Sequence, residues 1–355
     1  MRFISVRKIH IKQQSLLRKR RRYNKIHKIL RYQRSIRKRF KISNKYHSSS
    51  YYNDLKKNSK FEVPSNFNLY NNTDEVIRYI NSTKEYIKNV NYNTSAYFDL
   101  SNVTNIDNGG IGLLLCLVNF LSRHRVTSMG NLPKDVEAKN IFVQSGFFEH
   151  VDSIQGKKQY VNSNDVFIVQ NGHSVTNPEI ISHESRKVML YITGEDISYK
   201  PMYSIIGEIM SNSIEHANQY KNDKNWLVSA HYEPGKVTMM AIDIGEGILS
   251  TMRKKISQKI ADISTLTSDI QTLYNLFDRK YQSSTMETNR NKGLPKIKEC
   301  YENGYISNLN VITNKVFLDF GKEKTRALNV NFNGTFYYFE ITIENINKWK
   351  NRLRN

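Results

Sequence analysis

Between Pro201 and Ile343 the chain sets four short polar boxes, one along the face of an apolar helix and the others at the junctions of helices and strands. Their fixed order constrains the fold more than any other feature. The first lies in Pro201 to Gln219 (PMYSIIGEIMSNSIEHANQ), which opens with a proline suited to a helix's first turn. At about 100° per residue Ile206, Ile209, Met210, Ile214 and Ala217 gather on one side, while Glu208, Asn212 and Glu215 fall opposite. The predicted helix therefore packs one face and presents a carboxylate–amide–carboxylate row on the other. Next, Trp226 to Tyr232 and Val237 to Ile242 read as strands around the turn Glu233-Pro234-Gly235, and the second strand runs into Asp243-Ile244-Gly245-Glu246-Gly247. A carboxylate at a strand end can accept an amino proton from a planar ligand, and nearby glycines let the backbone turn closely around one without Cβ clashes. The third box, Arg290-Asn291-Lys292-Gly293-Leu294-Pro295-Lys296-Ile297, enters a helix ending near Gly304. Free N–H groups at such a start attract phosphate, and Arg290, Lys292 and Lys296 add positive charge. Finally Asn333-Gly334-Thr335 precedes a strand at Phe336 to Ile343, after strands predicted at Tyr305 to Thr313 and Ala327 to Phe332.

A second, smaller α/β unit is expected from Phe61 to about Gln170. Asp74 to Lys88 reads as a helix and Ser95 to Leu100 (SAYFDL) as a buried strand. The chain then runs through Val103 to Ile111 (VTNIDNGGI), whose glycines open an apolar helix ending near His124. A strand at Arg125 to Met129 follows, and Pro133 suits the first turn of another helix. Asp107 reads as a turn or helix cap.

These patterns resemble two families. The order of boxes from about Ile180 to Ile343 is similar to the ATP-binding domain of the GHKL superfamily (gyrase, heat-shock chaperone, histidine kinase, mismatch repair). That resemblance implies a two-layer α/β sandwich of the Bergerat type holding Mg-ATP, over residues 180–355. Glu208 then matches the general base of the Glu-x-x-x-Asn ATPases and anti-sigma-factor kinases, and Asn212 the magnesium ligand. Asp243 matches the adenine-reading aspartate, with Gly245 and Gly247 shaping the base pocket. Gly293 and Leu294 match the end of the phosphate loop, with Lys292 beside them as a further cofactor-binding residue, and Thr335 matches a threonine that helps hold the adenine. The chain departs from the pattern at Asn291, where the loop normally has another glycine. Leu249 to Glu287, with Ser283-Ser284-Thr285, would form the nucleotide lid. Residues 61–170 resemble a STAS domain of anti-sigma-factor antagonists, in which a DLSxVxxID-type strand and loop lead into a helix. Where phosphorylated members carry an acceptor serine, this chain has Asn108 and then Gly109, neither with a hydroxyl. The resemblance implies a module that binds a protein partner.

One tempting motif is rejected on spacing. Ser182-His183-Glu184-Ser185-Arg186 looks like a phosphoacceptor box, but His183 precedes Asn212 by only 29 residues (212 minus 183), too few for an intervening two-helix hairpin. Lys187 to Ile192 also reads as a strand. His216 beside Glu215 reads as a helix residue near the nucleotide, without a His/Cys cluster of zinc spacing around it.

Composition matters chiefly through the location of charge. Residues 1–60 hold 21 Lys and Arg against one acid, Asp54, leaving 33 basic and 31 acidic residues for the rest of a chain whose formal charge is +22. Residues 1–42 read as a basic, weakly amphipathic helix, and 43–60 as a polar linker. Such an arm suits nucleic acid or an anionic membrane surface, the alternative being a solubilising tail. Cys116 and Cys300 fall in apolar or helical contexts and read as reduced thiols. The longest apolar run, Ile111 to Leu121, is short of the ~20 residues of a bilayer-spanning helix. The expected location is cytoplasmic.

Three functions are open at this point. The chain could be a switch ATPase whose basic arm contacts nucleic acid, a Ser/Thr protein kinase of the anti-sigma-factor type, or a nucleotide-binding scaffold without catalysis. A homodimer is among the assemblies the resemblance allows.

Overall fold

In the computed structural model the described residues are 60–88, 95–124, 126–151, 166–171, 178–216, 225–257, 268–278 and 293–354. They form a mixed α/β chain. The basic arm, the Arg290–Lys292 stretch and Ser283–Thr285 lie outside them.

The first part runs β1 (Lys60–Glu62), β2 (Asn66–Phe67), α1 (Thr73–Lys88), β3 (Ser95–Asp99), β4 (Asn105–Ile106), α2 (Asn108–Arg123), β5 (Thr127–Gly130) and α3 (Val136–Gln144). Strands β1, β3 and β5 make one sheet in that order, with β3 and β5 parallel; β2 and β4 pair separately, also in parallel. Helix α2 is apolar nearly all round, and a helix of that kind must be covered on several sides. It contacts β5 in its own unit and, in the following part of the chain, the strands Asn225–Glu233 and Lys236–Asp243. Asp107 is its N-cap: the half-buried carboxylate accepts from the Gly110, Leu69 and Tyr70 amides at 2.7, 2.9 and 3.2 Å. At Gly110 a Cβ would lie 2.2 Å from the Phe67 carbonyl oxygen, so this turn accepts only glycine. Pro133 is not in the first turn of α3. That helix begins after Asp135, whose side chain accepts from the Ala138 amide at 2.9 Å and so supplies the cap.

The second part runs β6 (Val166–Asn171), α4 (Pro178–Thr193), α5 (Lys200–His216), β7 (Asn225–Glu233), β8 (Lys236–Asp243), α6 (Ile248–Ser257), α7 (Asp269–Phe277), α8 (Gly293–Glu302), β9 (Ser307–Asp319), β10 (Arg326–Thr342) and α9 (Ile343–Arg354). Its sheet has the order β6-β7-β8-β10-β9, antiparallel at each junction. Alternation along β8 divides the two faces. Val237, Met239 and Ala241 pack with Met202, Ile205, Ile206 and Ile209 of α5. Met240 and Ile242 pack the other way, in one cluster with Leu113, Leu114 and Leu117 of α2. The two expected α/β units thus share a hydrophobic core, and Phe61–Asn355 is one compact unit.

Several local expectations change. Lys187 to Ile192 belongs to helix α4, not to a strand. Ile181, Glu184, Ser185 and Val188 are buried at helical spacing while Leu190 and Tyr191 are exposed, so the short apolar run was the end of an amphipathic helix. Strand β6 hydrogen-bonds to β7, which places Val166–Asn171 in the second sheet. Ala327–Phe332 and Phe336–Ile343 are one strand, β10, with Asn333-Gly334-Thr335 in an irregularity inside it. The expected lid contains α6 and α7, and Leu249, Leu273 and Phe277 are seated in the core. Cys116 and Cys300 are buried free thiols. Among the described residues no helix is long and apolar enough to cross a membrane.

Candidate functional site

Helix α5 buries Met202, Ile205, Ile206, Ile209 and Met210, which leaves Glu208 and Asn212, one turn apart, half-buried at its flank. Against this flank the start of α8 arrives. A Cβ on Gly293 would lie 2.8 Å from Glu208 Oε2 and 3.3 Å from Asn212 Nδ2, so glycine is what lets the α8 backbone touch both polar groups. Asn212 Nδ2 is buried without a hydrogen-bond partner. A buried amide nitrogen in that condition is costly in an interior that otherwise satisfies its polar atoms. In the next turn of α8, Lys296 Nζ stands 3.9 Å from Glu208 Oε1. Leu294 packs against the core beneath. The structure therefore brings Glu208, Asn212, Gly293 and Lys296 into one group. Lys292, Asn291 and Arg290 lie outside the described residues, as do the side chains of Glu215 and His216.

A second group surrounds the end of β8. Across the sheet, Trp226, Asp243, Thr335 and Thr313 stand in register on β7, β8, β10 and β9, on the face that carries the α5 layer. Asp243 Oδ1 accepts from the Gly245 amide at 2.9 Å, which turns the chain sharply after the strand. Thr335 is buried beside it. Burial and the Asp243 charge push the neighbouring Tyr337 hydroxyl far above its ordinary range. Burial, and secondarily the Asp243 charge, push the Cys116 thiol on the opposite face up to about 12, which removes it from thiolate chemistry.

Gly247 meets a packing requirement that its spacing does not reveal. Its φ is +85°, and a Cβ there would meet Asn314 Oδ1 at 2.6 Å and Thr313 Oγ1 at 2.8 Å. The glycine presses the turn onto β9. Thr313 and Asn314, which sequence reasoning passed over, hold that turn in place. Thr313 Oγ1 accepts from the Ile248 amide at 2.9 Å and donates to the Gly334 carbonyl at 3.0 Å. Asn314 Oδ1 accepts from the Leu249 amide at 3.0 Å, and its Nδ2 donates to the Glu246 carbonyl at 3.0 Å and to Ser250 Oγ at 2.7 Å. Together they satisfy the orphan amides at the start of α6. The sequence signal was a Thr-Asn pair interrupting an apolar strand. Gly334 is required by close approach: a Cβ there would lie 2.2 Å from the Asp243 carbonyl oxygen.

The two groups border the same helix–sheet layer. Trp226, the register partner of Asp243, shares an apolar pocket with Met202, Ile206 and Met210, and Met210 precedes Asn212 by two residues on α5. His183, rejected above as a phosphoacceptor, lies on α4 with its side chain 76% exposed and its Nδ1 3.3 Å from Glu184 Oε1. Compared with protein-family models and with curated proteins, the sequence matches none.

Proposed function

We propose that the chain binds Mg-ATP in a GHKL-type site of its second half, a Bergerat-type sandwich, and hydrolyses it as a switch ATPase. The observation that carries this reading is Gly293 at the head of α8, seated against Glu208 and Asn212 with the Asn212 amide nitrogen buried and unpaired. A helix start that reaches a carboxylate and an uncommitted amide suits a triphosphate and its counter-ion. The donor set fits Mg²⁺, a hard ion commonly held by one or two protein oxygens plus phosphate oxygens and water. In this reading Asn212 Oδ1 is its protein ligand, and the amide nitrogen is left to face a phosphate oxygen. When bound, the ion neutralises charge developing on the phosphate oxygens.

Glu208, beside Gly293, accepts the proton of the attacking water, with Lys296 supplying opposite charge at its far oxygen. At the other end Asp243 accepts the adenine amino proton, oriented by the Gly245 amide, and Thr335 sits beside it in the same row. The first half is STAS-like in this reading, and residues 1–42 contact nucleic-acid phosphates.

The test measures phosphate release and phosphoryl transfer to protein, with and without nucleic acid, on the full chain. Asn212→Ala should remove Mg-ATP binding, whereas Glu208→Ala should spare binding and stop turnover. Equal loss of binding in both would overturn these roles, and no ATP binding by the unaltered chain would overturn the reading itself. Deleting residues 1–42 should abolish salt-sensitive nucleic-acid binding while ATP affinity stays unchanged; retained binding would remove the arm from the proposal.

A further inference from the structure

Strand β10 is irregular where it approaches Thr335. Ala327 pairs with Val316 and Phe332 with Asn314, so four residues of β10, 328 to 331, face the single residue Lys315 of β9. Strand β8 pairs with β10 only from Thr335 onward. Backbone groups in such a bulge lose their ladder partners and must find others.

They find them on α1, in the first half. Asp74 Oδ1 accepts from the Asn329 amide at 2.7 Å and from the Val330 amide at 3.2 Å. Asn81 Nδ2 donates to the Asn331 carbonyl at 2.7 Å. Asp74 and Asn81 are seven residues apart, two turns along one face of the helix, so a single rigid element grips three consecutive residues of the bulge. One turn-end neighbour adds to the grip: Thr73 Oγ1 accepts from the Arg326 guanidinium at 2.9 Å. Beyond the gripped stretch the chain has little slack. Phe332 is buried opposite Asn314, which holds the turn after Asp243, and Gly334 lies against the Asp243 carbonyl. Thr335 then enters the row with Asp243.

We propose that α1 is a positioning element for the base end of the nucleotide site, acting through Asp74 and Asn81 on the bulged stretch Asn329–Gly334. The first half is then a structural part of that site. The inference rests on the nucleotide reading for its functional consequence, and on the hydrogen bonds alone for its mechanical one.

The experiment compares the full chain with Asp74→Ala, Asn81→Ala and Asp74→Asn, the last keeping an acceptor oxygen for both amides. Two readouts are taken: amide hydrogen exchange at 329–335 without ligand, and calorimetric affinity for Mg-ATP and for magnesium tripolyphosphate, which lacks the base. Asp74→Ala and Asn81→Ala should exchange faster at Gly334 and Thr335. They should also bind Mg-ATP about tenfold more weakly, with tripolyphosphate affinity unchanged, as expected for loss of one or two such bonds. Asp74→Asn should restore both readouts. Unchanged exchange at 333–335 in both alanine variants overturns the proposal, and so does an equal fall in the two affinities, which would mean general loosening. If the unaltered chain binds neither probe, the nucleotide reading fails by itself. The exchange result then decides the positioning role: faster at Thr335 upholds it, unchanged overturns it.

Discussion

The two ends of the candidate site are made of different materials. At the α5–α8 end, side-chain groups meet a helix start, and one of them, Asn212 Nδ2, is buried with no bond. At the β8–β10 end, turns and strands are tied by hydrogen bonds from Thr313 and Asn314, and glycines fit where backbone meets backbone. The first end leaves a buried polar atom unpaired, and the second has its turn amides paired by side chains. Substitutions at the second end should therefore act on stability and binding together, whereas those at the first should separate the two.

The largest expected effect tests the second end. Gly334→Ala drives a Cβ into the Asp243 carbonyl, a backbone atom that no rotamer change can move, and should cost about 3 kcal/mol of unfolding free energy in denaturant titration. A loss below about 1 kcal/mol would show that β10 yields at its bulge, and the contrast would weaken. Asn314→Ala removes the acceptor for the Leu249 amide and should cost about 2 kcal/mol, with faster hydrogen exchange at Ile248 and Leu249.

At the first end the same kind of change should be nearly silent in stability. Gly293→Ala meets Glu208 Oε2, the far end of a flexible side chain, so unfolding should change by less than about 1 kcal/mol while Mg-ATP affinity falls about tenfold. A stability loss as large as that of Gly334→Ala would erase the distinction. The smallest effect is expected from Lys296→Gln: its 3.9 Å ion pair with Glu208 is partly exposed on both sides, and breaking it should alter stability by under about 0.5 kcal/mol. Its signature should be a weaker salt dependence of ATP affinity, read by calorimetry at two ionic strengths.

The helices and strands that carry the boxes were legible because their periodicity is strong. The α5 pattern of Ile206, Ile209 and Met210, and the alternation along β8, each report one buried face. The Asp107 cap was legible from local chemistry. Lys187 to Ile192 was misread because six apolar-rich residues do not distinguish a helix end from a strand, and only the burial of Ile181, Ser185 and Val188 settles it. The break expected at Asn333-Gly334-Thr335 was real as an irregularity but not as a strand end, since β9 pairs with β10 on both sides of it. Gly247 was legible by its type, while the close approach it permits is to Asn314, a residue 67 positions further on (314 minus 247).

By itself the sequence determined on which side of each helix or strand the polar groups stand, because amphipathic periodicity and capping are local properties. Tertiary structure alone decided that Gly293 would press on Glu208 and Asn212, that α2 would be buried between two sheets, and that Asp74 would reach the backbone of Asn329. Those juxtapositions join residues far apart in the chain. They arise from closing one shared apolar core, a quantity that no short window of sequence contains.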